Sequence, residues 1–473
     1  MAMGSKKTDG CQADFWVATQ DLPSAPGHPF YTALNRILDA HGFDAFVESR
    51  CARFYAETMG RPSLPPGRYL RLLLIGFFEG LDSERGIAWR VADSRSLCAF
   101  LGLGVGDSAP HHSTLSNTRN RIDLETHHEV FTWVLQLLAK GNLLRGKTIG
   151  VDATPLEANA AMRSIVRRDT GETYRKYLIR LAKESGIETP TNQDLKKLDK
   201  SRKNKASNRD WTYPRDPNAR VTKLKNGSTH LAYKAEHAVD LETGALVGIT
   251  LHPGDAGDTD TLAPTLDEVE ENLDDVARDE DARQNIVAES QRIAETIADA
   301  GYHSDAVLAV LDETACRSYV AEPDRGRRKW KGDLDARGRV YANRRRTGGE
   351  RGKSLMRLRS ELNERSNAHM YETGGMRRVW LRGIDNIGKR LLVHAAGFNL
   401  ALAMRDLFGA GKPREWASRG IAAKAALMGI GLFLWQWATV FGGLGKFFDK
   451  SPQCQLAVIR NSPLPTIRPR REK

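Results

Sequence analysis

Cysteine is scarce in this sequence. The five residues, Cys11, Cys51, Cys98, Cys316 and Cys454, are odd in number, widely scattered and form no CxxC pair. That excludes a disulfide framework or a cysteine zinc site and fits a reducing compartment. An apolar signal core is also missing from Met1 to Asp21, so secretion is not expected and a cytoplasmic location is. Acid is in deficit: 59 Asp and Glu stand against 71 Lys and Arg, a net charge of +12. Such an excess favours a polyanionic partner, nucleic acid first, over a merely basic cytosolic protein. Long uncharged runs are few. The longest, Ala425 to Gly445, could just span a bilayer, but Gly429, Gly431, Gln436, Gly442 and Gly443 interrupt it. It reads as a buried or dimer-contact helix, and no membrane partner is expected.

With 473 residues the chain has room for two or three domains. Residues 1–142 read as a helical N-terminal domain. Pro65 and Pro66 open the Leu-rich run Tyr69–Phe78, Ser83–Arg90 suggests a short helix, and Ser113 is placed to cap a helix that carries Asn117, Arg119 and Arg121. These side chains suit phosphates and base edges, so a helix-turn-helix-like DNA contact and a plain bundle with a solvated basic face both stay open.

Residues 143–408 alternate strands and helices. Strand Thr148–Asp152 is expected to stop at Pro155, and a hairpin joins His230–Asp240 to Ala245–Leu251 through the turn Leu241–Gly244. A helix capped by Thr259 or Asp260 leads to a strand ending at Asp299. A helix capped by Ser304 and a strand over Arg317–Ala321 follow. The order predicts an α/β fold with a mixed sheet flanked by helices and ligands at the strand ends. Basic insertions fall at about 163–228 and 324–355. In the first, Tyr174, Tyr177, Trp211 and Tyr213 lie among Lys and Arg, either in a solvated loop or as a surface for DNA backbone and bases. The second holds Arg327, Arg328, Lys329, Arg344, Arg345 and Arg346, which suit phosphate contacts. Residues 409–473 form a C-terminal helical tail.

Asp152 and Asp299 each end an apolar strand and precede a small residue, and Glu364 lies in a helical stretch after the basic region. A carboxylate at such a strand end needs a cation. Two Asp and one Glu are hard oxygen ligands suited to Mg²⁺, whereas His or Cys would be wrong for it. Together they suggest a divalent-metal site for phosphodiester chemistry.

These residues belong to a wider set: Gly60–Pro66, Ser83–Arg85, Gly150–Thr154, Tyr233–Ala235, Asp299–Ser304, and Glu364–His369 leading into Gly374–Arg378. From about Gly60 to Arg405 the chain resembles DDE transposases of bacterial insertion sequences, whose catalytic domain is RNase H-like. The resemblance implies that Asp152, Asp299 and Glu364 are the three catalytic acids and metal ligands, holding two Mg²⁺ or Mn²⁺ ions. It implies double-stranded DNA, both element ends and target, as substrate, a homodimer joining two ends, and a nucleoid-associated place in a bacterial cytoplasm. An inactivated DNA-binding relative and an RNase H-like nuclease without joining are the competing readings. The chain departs from the pattern at two places: Ser360 stands where many relatives carry Arg, and Tyr371 where they carry Lys. Arg359, Arg365, Arg377 and Arg378 are the candidate replacements and DNA contacts. Glu361, one turn before Glu364, is a rival third acid. His303 is expected to orient DNA or to pack, and Asp258 to support the metal site from behind.

Overall fold

The computed structural model describes residues 27–417 apart from 57–59, 61–62, 105, 203–205, 225–226, 285–292, 325, 327, 329 and 331. Arg327, Lys329 and the apolar run 425–445 lie outside the described residues. Helices α1 (Pro29–Ala40), α2 (Phe43–Cys51), α3 (Pro66–Glu79), α4 (Glu84–Ala92), α5 (Arg95–Phe100), α6 (His112–Arg121) and α7 (Leu124–Lys140) come first. Strand β1 (Thr148–Glu157) follows, then an inserted unit of β2 (Val166–Arg167), α8 (Tyr174–Glu184), α9 (Asn192–Ser201) and β3 (Trp211–Thr212). The chain returns through β4 (Arg220–Lys223), β5 (Thr229–Asp240), β6 (Leu246–Pro253), α10 (Asp258–Ala277) and α11 (Glu280–Arg283). It ends with β7 (Glu295–Ala298), α12 (Asp305–Glu313), β8 (Arg317–Val320), α13 (Leu334–Gly348), α14 (Glu350–Ala368) and α15 (Ile384–Phe408).

The sheet runs β4-β5-β1-β7-β8, with β6 also paired to β5. Strands β4, β5, β6 and β1 pair antiparallel, while β1, β7 and β8 are parallel. This is the expected RNase H-like mixed sheet flanked by helices, with a helical region before it. The hairpin forms as the alternation predicts. Its turn is tied down by the buried Asp240, whose carboxylate accepts hydrogen bonds from the Arg145 N–H (2.7 Å), the Glu242 N–H (2.9 Å) and the Thr243 hydroxyl (3.0 Å). Helix α15 is long and apolar enough to cross a membrane, but most of it is buried against α7, α3 and β6, which makes it a core helix.

Four local expectations need correcting. Pro155 does not stop β1, which runs on to Glu157. Pairing of β1 with β7 ends at Gly150, so Pro155 sits where one side of the strand has no ladder to interrupt. Helix α10 is preceded by Gly257 rather than capped by Thr259 or Asp260, and α6 is capped by the His111 ring, not by Ser113. The first basic insertion is folded rather than a loop. Trp211 is buried with Tyr174 and Tyr177 edge-on to it at 5.0 and 5.2 Å, and Arg167 and Arg202 lie over Tyr177. These aromatics form a small core instead of a stacking surface for bases.

Asparagines close the sheet edges. Asn343 of α13 accepts from the Val320 N–H of β8 (3.0 Å) and donates to its carbonyl (2.7 Å). Asn399 of α15 does the same to Leu246 of β6 (2.9 and 2.8 Å), and Asn208 to Val221 of β4 (2.7 and 2.9 Å). One amide carries a donor and an acceptor, so a single side chain satisfies both backbone groups of an edge residue. Asn343→Ala is expected to leave a buried N–H and C=O unpaired and to cost about 2–4 kcal/mol in urea unfolding. Asn208→Ala, half-buried, should cost less, about 1 kcal/mol. Equal costs for the two would contradict this account.

Candidate active site

Gly150 of β1 lies opposite Ile297 of β7 in the parallel pair, so two residues further on, Asp152 within β1 comes beside Asp299 just past the end of β7. Here β7 stops while β1 runs on, paired only to β5. That is the kind of crevice in which α/β sheets place ligands. Asp299 turns the chain: its Oδ1 accepts the Gly301 N–H at 2.9 Å and starts the short helical turn Ala300–Tyr302.

Helix α14 lies across one face of β1. A Cβ on Gly150 would come within 2.7 Å of Leu241 and 3.0 Å of both Arg359 and Asn363, so the close approach requires glycine. Arg359 is 8% exposed; its Nη1 is 3.4 Å from Asp152 Oδ1 and donates to the Val151 carbonyl at 3.2 Å. Asn363 donates to the Gly150 and His237 carbonyls at 3.2 and 3.0 Å. Arg359, expected as a DNA contact, is thus a buried partner of the first acid.

Across the other face, Lys234 of β5 is 2.6 Å from Asp258 Oδ1 and 3.0 Å from Glu236 Oε1, and donates to the Thr261 hydroxyl at 2.8 Å. Glu236 is fully buried and accepts from the hydroxyls of Thr261, Thr265 (2.7 Å) and Tyr302 (3.1 Å). Burial raises the Tyr302 pKa, and the charges of Glu236, Asp258 and Asp152 raise it further, so all three acids act on one ring. A Cβ on Gly301 would strike Asp258 Oδ2 and lie 3.2 Å from Asp299 Oδ1. Asp258 and Asp299 therefore flank Gly301, and the charge of Asp152 reaches the Tyr302 ring.

Glu364 is exposed on α14, where Asn363 and Arg359 hold the strand-facing positions. Ser360, Glu364 and Asn367 form one stripe at helical spacing on the flank of that buried face. Beyond it the π-turn His369–Thr373 brings the Tyr371 hydroxyl to the Pro155 carbonyl at 3.3 Å. Burial raises the Tyr371 pKa, with Asp152 adding to it. Glu361, the rival, is exposed and pairs with Arg365 at 2.7 Å along its own helix. Asp152 within β1 is brought beside Asp299 just past the end of β7. Glu364 is not gathered with them: among the described residues no three His, Cys, Asp or Glu are close enough to hold an ion.

The two carboxylates at Gly301, Asp258 and Asp299, are hard oxygen donors with no Cβ between them, the donor type that Mg²⁺ takes. His303 is buried, and its pKa is lowered by that burial, which makes it a packing residue. Lys234 and Glu236 escaped the sequence reading as site residues. Their signal was two opposite charges two apart on one face of a strand that is otherwise apolar.

Of the other basic residues, Arg119 is buried, 3.0 Å from Glu84, and Arg121 is exposed and donates to Ser63. Arg328 pairs with Asp305, Arg344 binds Glu322 through two nitrogens, and Arg346 holds Ser318. Arg345, Arg365, Arg377 and Arg378 are exposed, the last three beside Glu361, Glu372 and Glu157.

Residues 19–121 match the family described as Transposase domain (DUF772), and residues 209–378 match the Transposase DDE domain. The second match holds Lys234, Asp258, Asp299 and Glu364 and begins after Asp152. Neither the curated proteins nor the solved structures contain a match.

His237, directly opposite Asp152 on β5, shares a hydrogen bond with the Ser366 hydroxyl at 2.9 Å and is held down to about 3 by burial. Its unfolded value is about 6.5, so the stability from keeping it neutral is full above that pH. That stability falls by about 1.4 kcal/mol per pH unit as pH drops toward 3. His127 and His369, each lowered to about 4 mainly by burial, act in the same direction. Urea midpoints should therefore drop steeply between pH 6.5 and pH 4, with a shallower drop in His237→Gln. An unchanged slope in the variant would refute the assignment.

Proposed function

Since the chain is a DDE transposase of the insertion-sequence type, we propose that it binds the terminal inverted repeats of its element, cleaves the DNA there, and joins the freed 3′-OH to target DNA. The observation that carries this reading is Asp152 on β1 and Asp299 just past the end of the parallel β7, each two residues beyond the paired Gly150 and Ile297, with Asp258 sharing the Gly301 gap. Asp152, Asp299 and Glu364 are the residues that would hold two Mg²⁺ or Mn²⁺ ions. Such ions, about 3.5–4 Å apart when bound, activate the attacking hydroxyl and stabilise the leaving oxygen.

The chain's own residues prepare that site. Arg359 and Lys234 offset the charge of Asp152 and Asp258 and fix their carboxylates from opposite faces of the sheet. Tyr302 ties the Asp299 turn to buried Glu236, which limits drift of the second acid. Glu364 takes the third place on the strength of its motif position, and as an exposed side chain it turns toward the crevice at little cost. Asn363, already hydrogen-bonded to two strand carbonyls, is committed to packing.

Residues 1–142 serve as the DNA-binding part, 143–408 as the catalytic part, and the remainder as a dimer contact. Arg121, Arg345, Arg365, Arg377 and Arg378 meet phosphates at the surface. The element ends and the target are double-stranded DNA, and joining two ends calls for a homodimer.

Strand cleavage on a duplex carrying the element end with Mg²⁺ tests the reading. Metal-ligand chemistry is worth several kcal/mol, so Asp152→Asn, Asp299→Asn and Glu364→Gln should each lose about a thousandfold or more in rate. Glu361→Gln removes only a surface ion pair and should stay within about threefold. Full activity in Asp152→Asn or Asp299→Asn would overturn the proposal, and cleavage without joined product would favour a nuclease.

A further inference from the structure

A cavity of about 320 Å³ lies between the N-terminal helices and the start of α15. Its wall holds Glu84, Arg119, Trp380, Lys389 and Arg390, with Arg85 exposed at its edge. The charges do not balance. Lys389 is 7% exposed, and its ammonium makes one hydrogen bond among the described residues, to the Arg119 carbonyl at 3.0 Å. Arg390 donates only to neutral acceptors: the Leu81 carbonyl at 2.8 Å, the Asp82 carbonyl and the His394 ring at 3.4 Å. Arg119, buried in the same wall, has Glu84 at 3.0 Å but leaves its Nε without a partner. The carboxylate of Asp82 is engaged by the Trp380 indole N–H at 2.7 Å. Buried Arg119 and Lys389 and half-buried Arg390 thus share the carboxylates of Glu84 and Asp82. Burial lowers the pKa of both Lys389 and Arg390, with Asp385 and Asp82 partly offsetting it, and the basic side chains of the wall, Arg85, Arg119, Lys389 and Arg390, outnumber its acids, Asp82 and Glu84.

A buried cation without a counter-charge is costly, and an anion of suitable size in the cavity would remove that cost. We propose that this cavity, walled by Arg119, Lys389 and Arg390, binds a backbone phosphate of the DNA substrate. The proposal rests on the transposase reading, which supplies the phosphodiester. Arg85 stands at the mouth to meet the strand, and exposed Trp89, one helical turn further along α4, offers a face to an adjacent sugar or base. The cavity is made by both parts of the chain, α4 and α6 on one side and α15 on the other, so a phosphate in it would fix the N-terminal helices on the catalytic part at the moment of DNA binding.

The test uses the full chain and fluorescence anisotropy with an end-containing duplex over a range of salt. Each neutralised phosphate contributes about 0.9 to the slope of log affinity against log salt. Lys389→Met keeps the side-chain bulk and should lower that slope by about one, weakening binding about tenfold at low salt, while its melting temperature stays equal to wild type or rises. Arg85→Ala, at the exposed mouth, gives the same reading without touching the core and decides the matter if Lys389→Met does not fold. A second arm adds inorganic phosphate to the free protein and follows melting temperature. Protection by phosphate in wild type but not in Lys389→Met, with the DNA slope reduced, supports the proposal. Protection with an unchanged DNA slope assigns the cavity to free phosphate and overturns it, as does no effect in either arm. Loss of metal-dependent cleavage with the slope change intact would instead count against the catalytic reading alone.

Discussion

A carboxylate withdrawn from water must be met by positive charge or by several hydrogen-bond donors, and this requirement organises the centre of the molecule. Asp152 meets Arg359 from α14, Asp258 meets Lys234 from β5, and fully buried Glu236 meets the same lysine with three hydroxyls. Glu295, at the start of β7, is met by Arg351 at 2.5 Å, which together with hydrogen bonds from Thr148 and Tyr319 more than offsets burial and lowers its pKa. Apart from Lys234 with Glu236, these pairs join residues distant in sequence. Helix α14 is consequently held over β1 and β7 by charge at both ends of its contact with the sheet, and the acids at the strand tips inherit fixed positions from it.

The same helix explains how chemistry and stability are divided along a few residues. Arg359, Asn363 and Ser366 face the strands and are engaged, whereas Glu361 and Glu364 face outward. Helix α15 plays the complementary part: it touches α7, α3 and β6, so the helical region and the sheet share one continuous core.

Much of this was legible in the sequence where periodicity is strong. The hairpin, the strands leading to Asp152 and Asp299 and the Ser304 cap all follow from alternation and capping chemistry. What escaped was non-local. Nothing near Lys234 says that Asp258 lies across from it, and nothing near Arg359 says that Asp152 does. The insertion with α8 and α9 was hard to foresee because Leu178, Ala182 and Leu195 form a core too small to dominate a heavily charged segment. His111 displaced Ser113 as a cap because its imidazole nitrogen can accept a first-turn N–H, here that of Ser113, a choice that propensity does not single out. Glu364 stands out by motif alone; its helix position taken by itself is an ordinary solvent-facing one.

The asparagine clamps on β4, β6 and β8 have a bearing on how copies of this chain meet. An open sheet invites a neighbour to extend it by strand addition, in register and without much selectivity. At Val221, Leu246 and Val320 the outward backbone groups are already spoken for by an amide from the same chain. A second copy arriving at those residues would have to displace two good hydrogen bonds to make two. Self-recognition is thereby steered away from the sheet toward helical surfaces, where side-chain identity rather than main-chain repetition decides which partner is accepted.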